Sequence, residues 1–176
     1  MSSGALQVPE ALCDTGPVLH LHEIARTDAL AVFDRIALPE RVAWELERLG
    51  LDPHSIPNTT RGPELIVRPV PDELLSDLAD IDLLQRADRQ VLALARQAGY
   101  QIPVLTDDLA LRERVERSGG VAVGTVGLLV RSFGLGHSTR AQLEESVDRL
   151  MTRSTLHMSR PFRQYVMDLI RELVDR

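Results

Sequence analysis

Residues Ile102–Val130 read IPVLTDDLALRERVERSGGVAVGTVGLLV, and the fold is decided there. The run Ile102-Pro103-Val104-Leu105 stops abruptly at Thr106-Asp107-Asp108. A short apolar run closed by polar residues and followed by helical periodicity is the pattern of a buried parallel strand feeding a helix. Leu111 and Val115 recur at helical spacing, Glu113 and Arg117 stand four apart, and Ser118-Gly119-Gly120 ends the element. Val121-Ala122-Val123 is a second strand, and Gly124-Thr125 turns it into another apolar helix. Strand–helix–strand–helix, with acids at the carboxyl edge of the first strand, places polar groups where sites form in open α/β sheets. Capping of the following helix explains one such acid equally well.

Outward from this stretch, the same alternation continues in both directions. Leu6 to Cys13 contains a first strand, ended by Asp14-Thr15-Gly16-Pro17, and Val18, Leu19, Leu21 and Ile24 give the next helix its apolar face. Ala29 to Phe33 reads as a short helix and Ile36-Ala37-Leu38 as a strand. The helix PERVAWELERLG follows from Pro39 to Gly50, with Val42, Leu46 and Leu49 as its apolar stripe. Leu51 to Pro63 is a long loop rich in turn residues. Glu64 to Val70 is a strand, and Asp72 onward is helical in two pieces, the second from Gln85 to Ala98. Beyond Gly134-Leu135-Gly136, Ser138 is the expected cap of a helix through Met151, and Ser159-Arg160-Pro161 opens the last one. The pattern predicts a three-layer α/β/α sandwich with a mainly parallel central sheet over residues 1–136, and a C-terminal helical extension over 137–176 packed on the same domain.

Of 176 residues, 44% are hydrophobic but only 3% aromatic, so the core is built of Leu, Val, Ile and Ala. No apolar run approaches the length of a membrane span, and the single Cys13 excludes an internal disulfide. Both features predict a cytoplasmic protein with no membrane partner. The net charge is −6, and the basic residues are all Arg. An acidic chain is a poor general polyanion binder, so a nucleic-acid partner must be held by a local Arg cluster or through a metal.

Several carboxylates do not sit where solvated acids belong. Glu40 and Glu47 fall on the far side of their helix, whereas Glu45 borders the buried stripe. Asp88 lies within the stripe Leu84, Ala87, Val91 and Ala95, where an unpaired buried carboxylate costs several kcal/mol. Asp14, like Asp107 and Asp108, ends a strand. A helix cap accounts for each acid singly, and a shared cation accounts for them together. Hard oxygen donors gathered at one sheet edge suit Mg²⁺ or Mn²⁺, and such sites hydrolyse phosphodiesters. The His residues at 20, 22, 54, 137 and 157 show no zinc spacing, and there is neither a P-loop nor a dinucleotide fingerprint. Gly124-Thr125-Val126-Gly127 reads as close strand–helix packing. A phosphatase or receiver-like domain needs a well-placed Lys, and the chain has none.

The segments CDTGPVLHL, LPERVAWEL, DRQVLALA, VLTDDLALR and GTVGLL, from Leu6 to Gly136, resemble the PIN-domain ribonucleases, including toxins of the VapC type. The resemblance implies Mg²⁺- or Mn²⁺-dependent cleavage of single-stranded RNA. Asp14, Glu45, Asp88 and Asp108 match the family's metal-binding acids, Asp107 beside the last is a further candidate metal ligand, and Thr106 matches its site hydroxyl. It also implies RNA as substrate, an antitoxin as protein partner, and a homodimer. Two departures stand out. Ala87-Asp88-Arg89-Gln90 replaces a Gly-Glu-x-Glu found in relatives, and no further acid follows at Ala110. A catalytically weak or inactive module that binds RNA or a protein is the alternative these departures allow.

Overall fold

The computed structural model describes residues 10–56, 62–76, 78 and 84–174. Its centre is a five-stranded, wholly parallel sheet in the order β3-β2-β1-β4-β5. The strands are β1 (Glu10–Cys13), β2 (Arg35–Pro39), β3 (Glu64–Arg68), β4 (Val104–Leu105) and β5 (Ala122–Val123). Consecutive residues of β1, β2 and β4, such as Ala11, Leu12 and Cys13 or Ile36, Ala37 and Leu38, are all fully buried. Successive side chains point to opposite faces, so burial of every residue means both faces are covered.

The helices are α1 (Thr15–Glu23), α2 (Glu40–Arg48), α3 (Asp72–Ser76), α4 (Arg86–Gln97), α5 (Leu109–Arg117), α6 (Thr125–Gly134), α7 (Arg140–Arg153) and α8 (Arg160–Val174), with a 3₁₀ turn at Thr27–Val32. α1, α6 and α7 pack together, α4 packs on α3 and α5, and α2 touches both α1 and α4. This is the three-layer α/β/α arrangement expected from the alternation of strands and helices. The first half of the chain winds outward from β1 through β2 to β3. The second returns to β4, on the other side of β1, and continues to β5. Between β1 and β4 the winding reverses, and in a parallel sheet the crevice at the carboxyl ends of two such strands is left open.

Two details depart from the sequence reading. Leu49 is 53% exposed, because α2 ends at Arg48 and Gly50, at φ +80°, turns the chain away before Leu49 can reach the core. The α2 stripe is instead Val42, Ala43 and Leu46. The cap of α7 is Thr139 rather than Ser138. Its side chain accepts from the Gln142 amide while the Gln142 side chain accepts from the Thr139 amide, satisfying two free donors of the first turn.

Candidate functional site

Leu12 pairs with Val104 and Cys13 with Leu105, so Asp14 and Thr106 are the next residues out of two adjacent strands. The Asp14 amide donates to the Leu105 carbonyl at 2.9 Å, holding the two strand ends together beyond the sheet. Asp14 is the N-cap of α1: one carboxylate oxygen accepts from the Thr15 amide at 2.7 Å, and the other accepts from the Thr106 hydroxyl at 3.2 Å. Thr106 Oγ1 in turn accepts from the Asp108 amide at 3.1 Å. Thr106 therefore orients one acid and fixes the loop carrying another, and it is itself fully buried.

Asp108 caps α5 through the Leu111 amide at 2.8 Å. Asp88 is the third residue of α4, where its Oδ2 accepts from the Gln85 amide at 3.1 Å in a reciprocal capping box. Glu45 reaches over from α2, accepting from the Thr15 hydroxyl at 2.8 Å, with Arg41 Nε 3.5 Å from its other oxygen. Helices α1 and α5 thus begin with an acid as N-cap, and α4, capped by Gln85, carries its acid at the third position of the capping box. A helix start is where backbone N–H groups and the macrodipole favour negative charge. Each of these carboxylates spends one oxygen on its own helix, so capping and clustering are not exclusive.

Electrostatics ties the group together. Asp14 is 8% exposed, and burial, then Asp88, then Asp108 push its carboxyl up from 3.8 to about 7 against the hydrogen bonds from Thr15 and Thr106. Asp88, also 8% exposed, is raised from 3.8 to about 6 by burial, then by Asp108 and Glu45, against the Gln85 hydrogen bond. Each raised acid therefore feels its neighbours as like charges, which is the condition a bound cation relieves. On donor type and on charge, Asp14, Glu45, Asp88 and Asp108 fit a hard divalent cation. As the side chains stand, no three His, Cys, Asp or Glu among the described residues lie close enough to hold an ion.

Asp107 is placed differently. Its Oδ1 accepts from the Thr125 amide at 2.8 Å, and its Oδ2 accepts from the Thr125 hydroxyl at 2.5 Å and from His20 Nδ1 at 2.8 Å. Both oxygens are committed, joining the β4 loop to α1 and α6. Gly124 permits this approach, since a Cβ there would meet Asp107 Oδ1 at 2.8 Å. The short approach explains the glycine of Gly124-Thr125-Val126-Gly127 as packing.

The sequence reading missed this hub, and it missed Thr15. The signal was a histidine on the buried face of α1, where Pro17, Val18 and Leu21 surround His20. Gln90, where the resemblance leads one to expect an acid, is also spoken for. Its carbonyl oxygen accepts from the Arg41 amide at 2.9 Å and its amide group donates to Glu40 at 3.4 Å, so it bolts α4 to α2.

No curated protein matches the chain. A family model described as a PIN domain matches residues 10–172, which takes in the whole sheet and every residue of the carboxylate group. The chain therefore belongs to the PIN-domain family, whose members are typically nucleases.

Proposed function

We propose that the protein is a metal-dependent endoribonuclease that hydrolyses phosphodiester bonds of single-stranded RNA in the cytoplasm, and that it serves as the toxin of a toxin–antitoxin pair. The observation that carries the nuclease reading is the gathering of Asp14, Asp88, Asp108 and Glu45 from four separate elements, with Asp88 and Asp108 raising the Asp14 carboxyl and Asp108 and Glu45 raising that of Asp88. Asp14, Asp88 and Asp108 would hold a Mg²⁺ or Mn²⁺ ion. When bound, the ion supplies hydroxide at neutral pH and polarises the phosphate. Thr106 fixes the direction of Asp14, and Glu45, anchored by Thr15, adds a ligand or orients the attacking water. The toxin role, with an antitoxin as partner and a homodimer as assembly, rests on the family resemblance alone.

Cleavage of a single-stranded RNA is expected with Mn²⁺ or Mg²⁺ and is expected to stop with EDTA. Asp14→Asn should lower the rate at least ~100-fold if the ion contributes several kcal/mol to the transition state. Cleavage that continues in excess chelator would sink the metal mechanism. A second reading, a PIN module that binds RNA without cutting it, is favoured by the commitment of Gln90 to α2 and by the separation of the carboxylates. It predicts RNA binding with no cleavage in either metal.

A further inference from the structure

Trp44, the only tryptophan of the chain, is 39% exposed on α2, next in sequence to Glu45. The Arg41 guanidinium carbon lies 3.7 Å from its ring centroid and that of Arg48 lies 4.9 Å away. Most arginines whose contacts are defined are neutralised by carboxylates, as Arg26 is by Asp28, Arg68 by Glu10 and Arg149 by Glu145. Arg48 differs: among the described residues its contact is the indole face, with no carboxylate within ion-pair distance. Arg41 stands between the indole and the site, with Nε 3.5 Å from Glu45 Oε1 and no hydrogen-bond partner for that buried nitrogen. The order in space is Thr15, Glu45, Arg41, Trp44, Arg48, a row that starts at the carboxylate group and ends in solvent.

We propose that this Arg41–Trp44–Arg48 ladder is the nucleotide-binding subsite beside the carboxylate group. An unpaired base stacks on the Trp44 indole, displacing the more distant Arg48, and the guanidinium groups of Arg48 and Arg41 turn to the flanking phosphates. The proposal rests on the nuclease reading above, and it answers the difficulty that an acidic chain poses for a polyanion. Charge is supplied locally, by two cations stacked on one aromatic face, of which Arg41 also pairs with Glu45 and Arg48 has no acid beside it among the described residues. An indole–guanidinium stack leaves the guanidinium N–H edge free to donate, which a salt bridge does not. Stacking on an aromatic side chain requires a base free of its own neighbours, so the subsite selects single strands over duplexes.

Because Trp44 is the sole tryptophan, its fluorescence reports on the ladder directly. A single-stranded 2′-O-methyl oligoribonucleotide, which resists hydrolysis, is titrated into the full chain with Mg²⁺ and again with EDTA. Saturable quenching is expected with the single strand and not with its duplex. By anisotropy of the labelled oligonucleotide, Trp44→Leu should weaken binding about 10-fold or more, and Trp44→Phe should restore part of the loss. Arg48→Ala should lower the slope of log K against log salt by about 0.7, one phosphate contact on a single strand. Far-UV circular dichroism and urea midpoints check that the variants fold. Parent-like affinity in folded Trp44→Leu, or equal quenching by the duplex, overturns the subsite. So does fluorescence unmoved by the oligonucleotide, the result expected of a surface reserved for another protein. Failure of the nuclease reading looks different: the parent would bind and quench as described but leave natural RNA uncut in Mg²⁺ and in Mn²⁺.

Discussion

Burial and the neighbouring Asp88 raise the Asp14 carboxyl to about 7, so the folded, metal-free chain holds a proton there that the unfolded chain gives up near 3.8. Between those values the native state binds more protons than the unfolded state, and stability therefore falls as pH rises. Asp88 adds to the slope between 3.8 and about 6. Urea midpoints in EDTA should accordingly drop from about pH 4 to pH 7, and Asp14→Asn, which keeps the capping oxygen but cannot ionise, should flatten most of that slope. A parent whose stability is level across this range would mean that neither burial nor the neighbouring acids raise these carboxyls.

At the same scale, the adjacent acids are expected to separate cleanly. Asp107→Asn should cost about 2 kcal/mol of stability, since an amide cannot accept all three bonds from His20 and Thr125. It should leave Mn²⁺ affinity near the parent's. Asp108→Asn should do the reverse. Calorimetric metal titration beside urea melts checks both, and equal losses of affinity would mean that Asp107 also faces the ion. The residue types of this site were legible in the sequence, but their partners were not. Asp107 meets His20 across 87 residues and Thr125 across 18, and local pattern carries no record of such pairings.

At the scale of the element, apolar runs and their terminators located the strands and most helices, because a strand buried on both faces reads as an unbroken apolar run. Helix ends were less legible. Leu49 has the spacing of a core residue, but helix α2 stops one residue too soon, and Ser138 and Thr139 are equally good caps by residue type. The sequence also poses capping and metal binding as alternatives for Asp14 and Asp88. They are compatible because a carboxylate has two oxygens and a helix start uses one. This gives a comparison of three caps. Thr139→Ala, far from the crevice, should cost ~1 kcal/mol with or without metal. Asp14→Ala and Asp88→Ala lose a similar cap but also relieve like-charge repulsion, so in EDTA their net cost should be smaller than that of Thr139→Ala. With Mn²⁺ present the order should invert, as the two Asp variants forgo the stabilisation that the ion gives the parent. Three equal costs, unchanged by metal, would reduce these acids to caps.

For the whole molecule, the parallel sheet does the positioning. Winding that starts at β1 and runs first one way and then the other leaves a crevice that no crossover covers, and the two strand ends beside it carry Asp14 and Thr106–Asp108. α2 and α4 close it from the side, bringing Glu45 and Asp88. The architecture could be read from the sequence because strand–helix alternation restricts topology so strongly. The inward facing of α2 could not, since it depends on Thr15 and Gln90 meeting it from other parts of the chain. The central claim is that this crevice binds one kind of ion through acids that otherwise repel. Its most direct measurement is calorimetric titration of Mn²⁺ into the metal-free parent and into Asp14→Asn at neutral pH. Saturable binding to the parent with release of protons, weakened at least ~10-fold in Asp14→Asn, is the predicted result. Absence of binding to the parent, or the same affinity in both proteins, would contradict it.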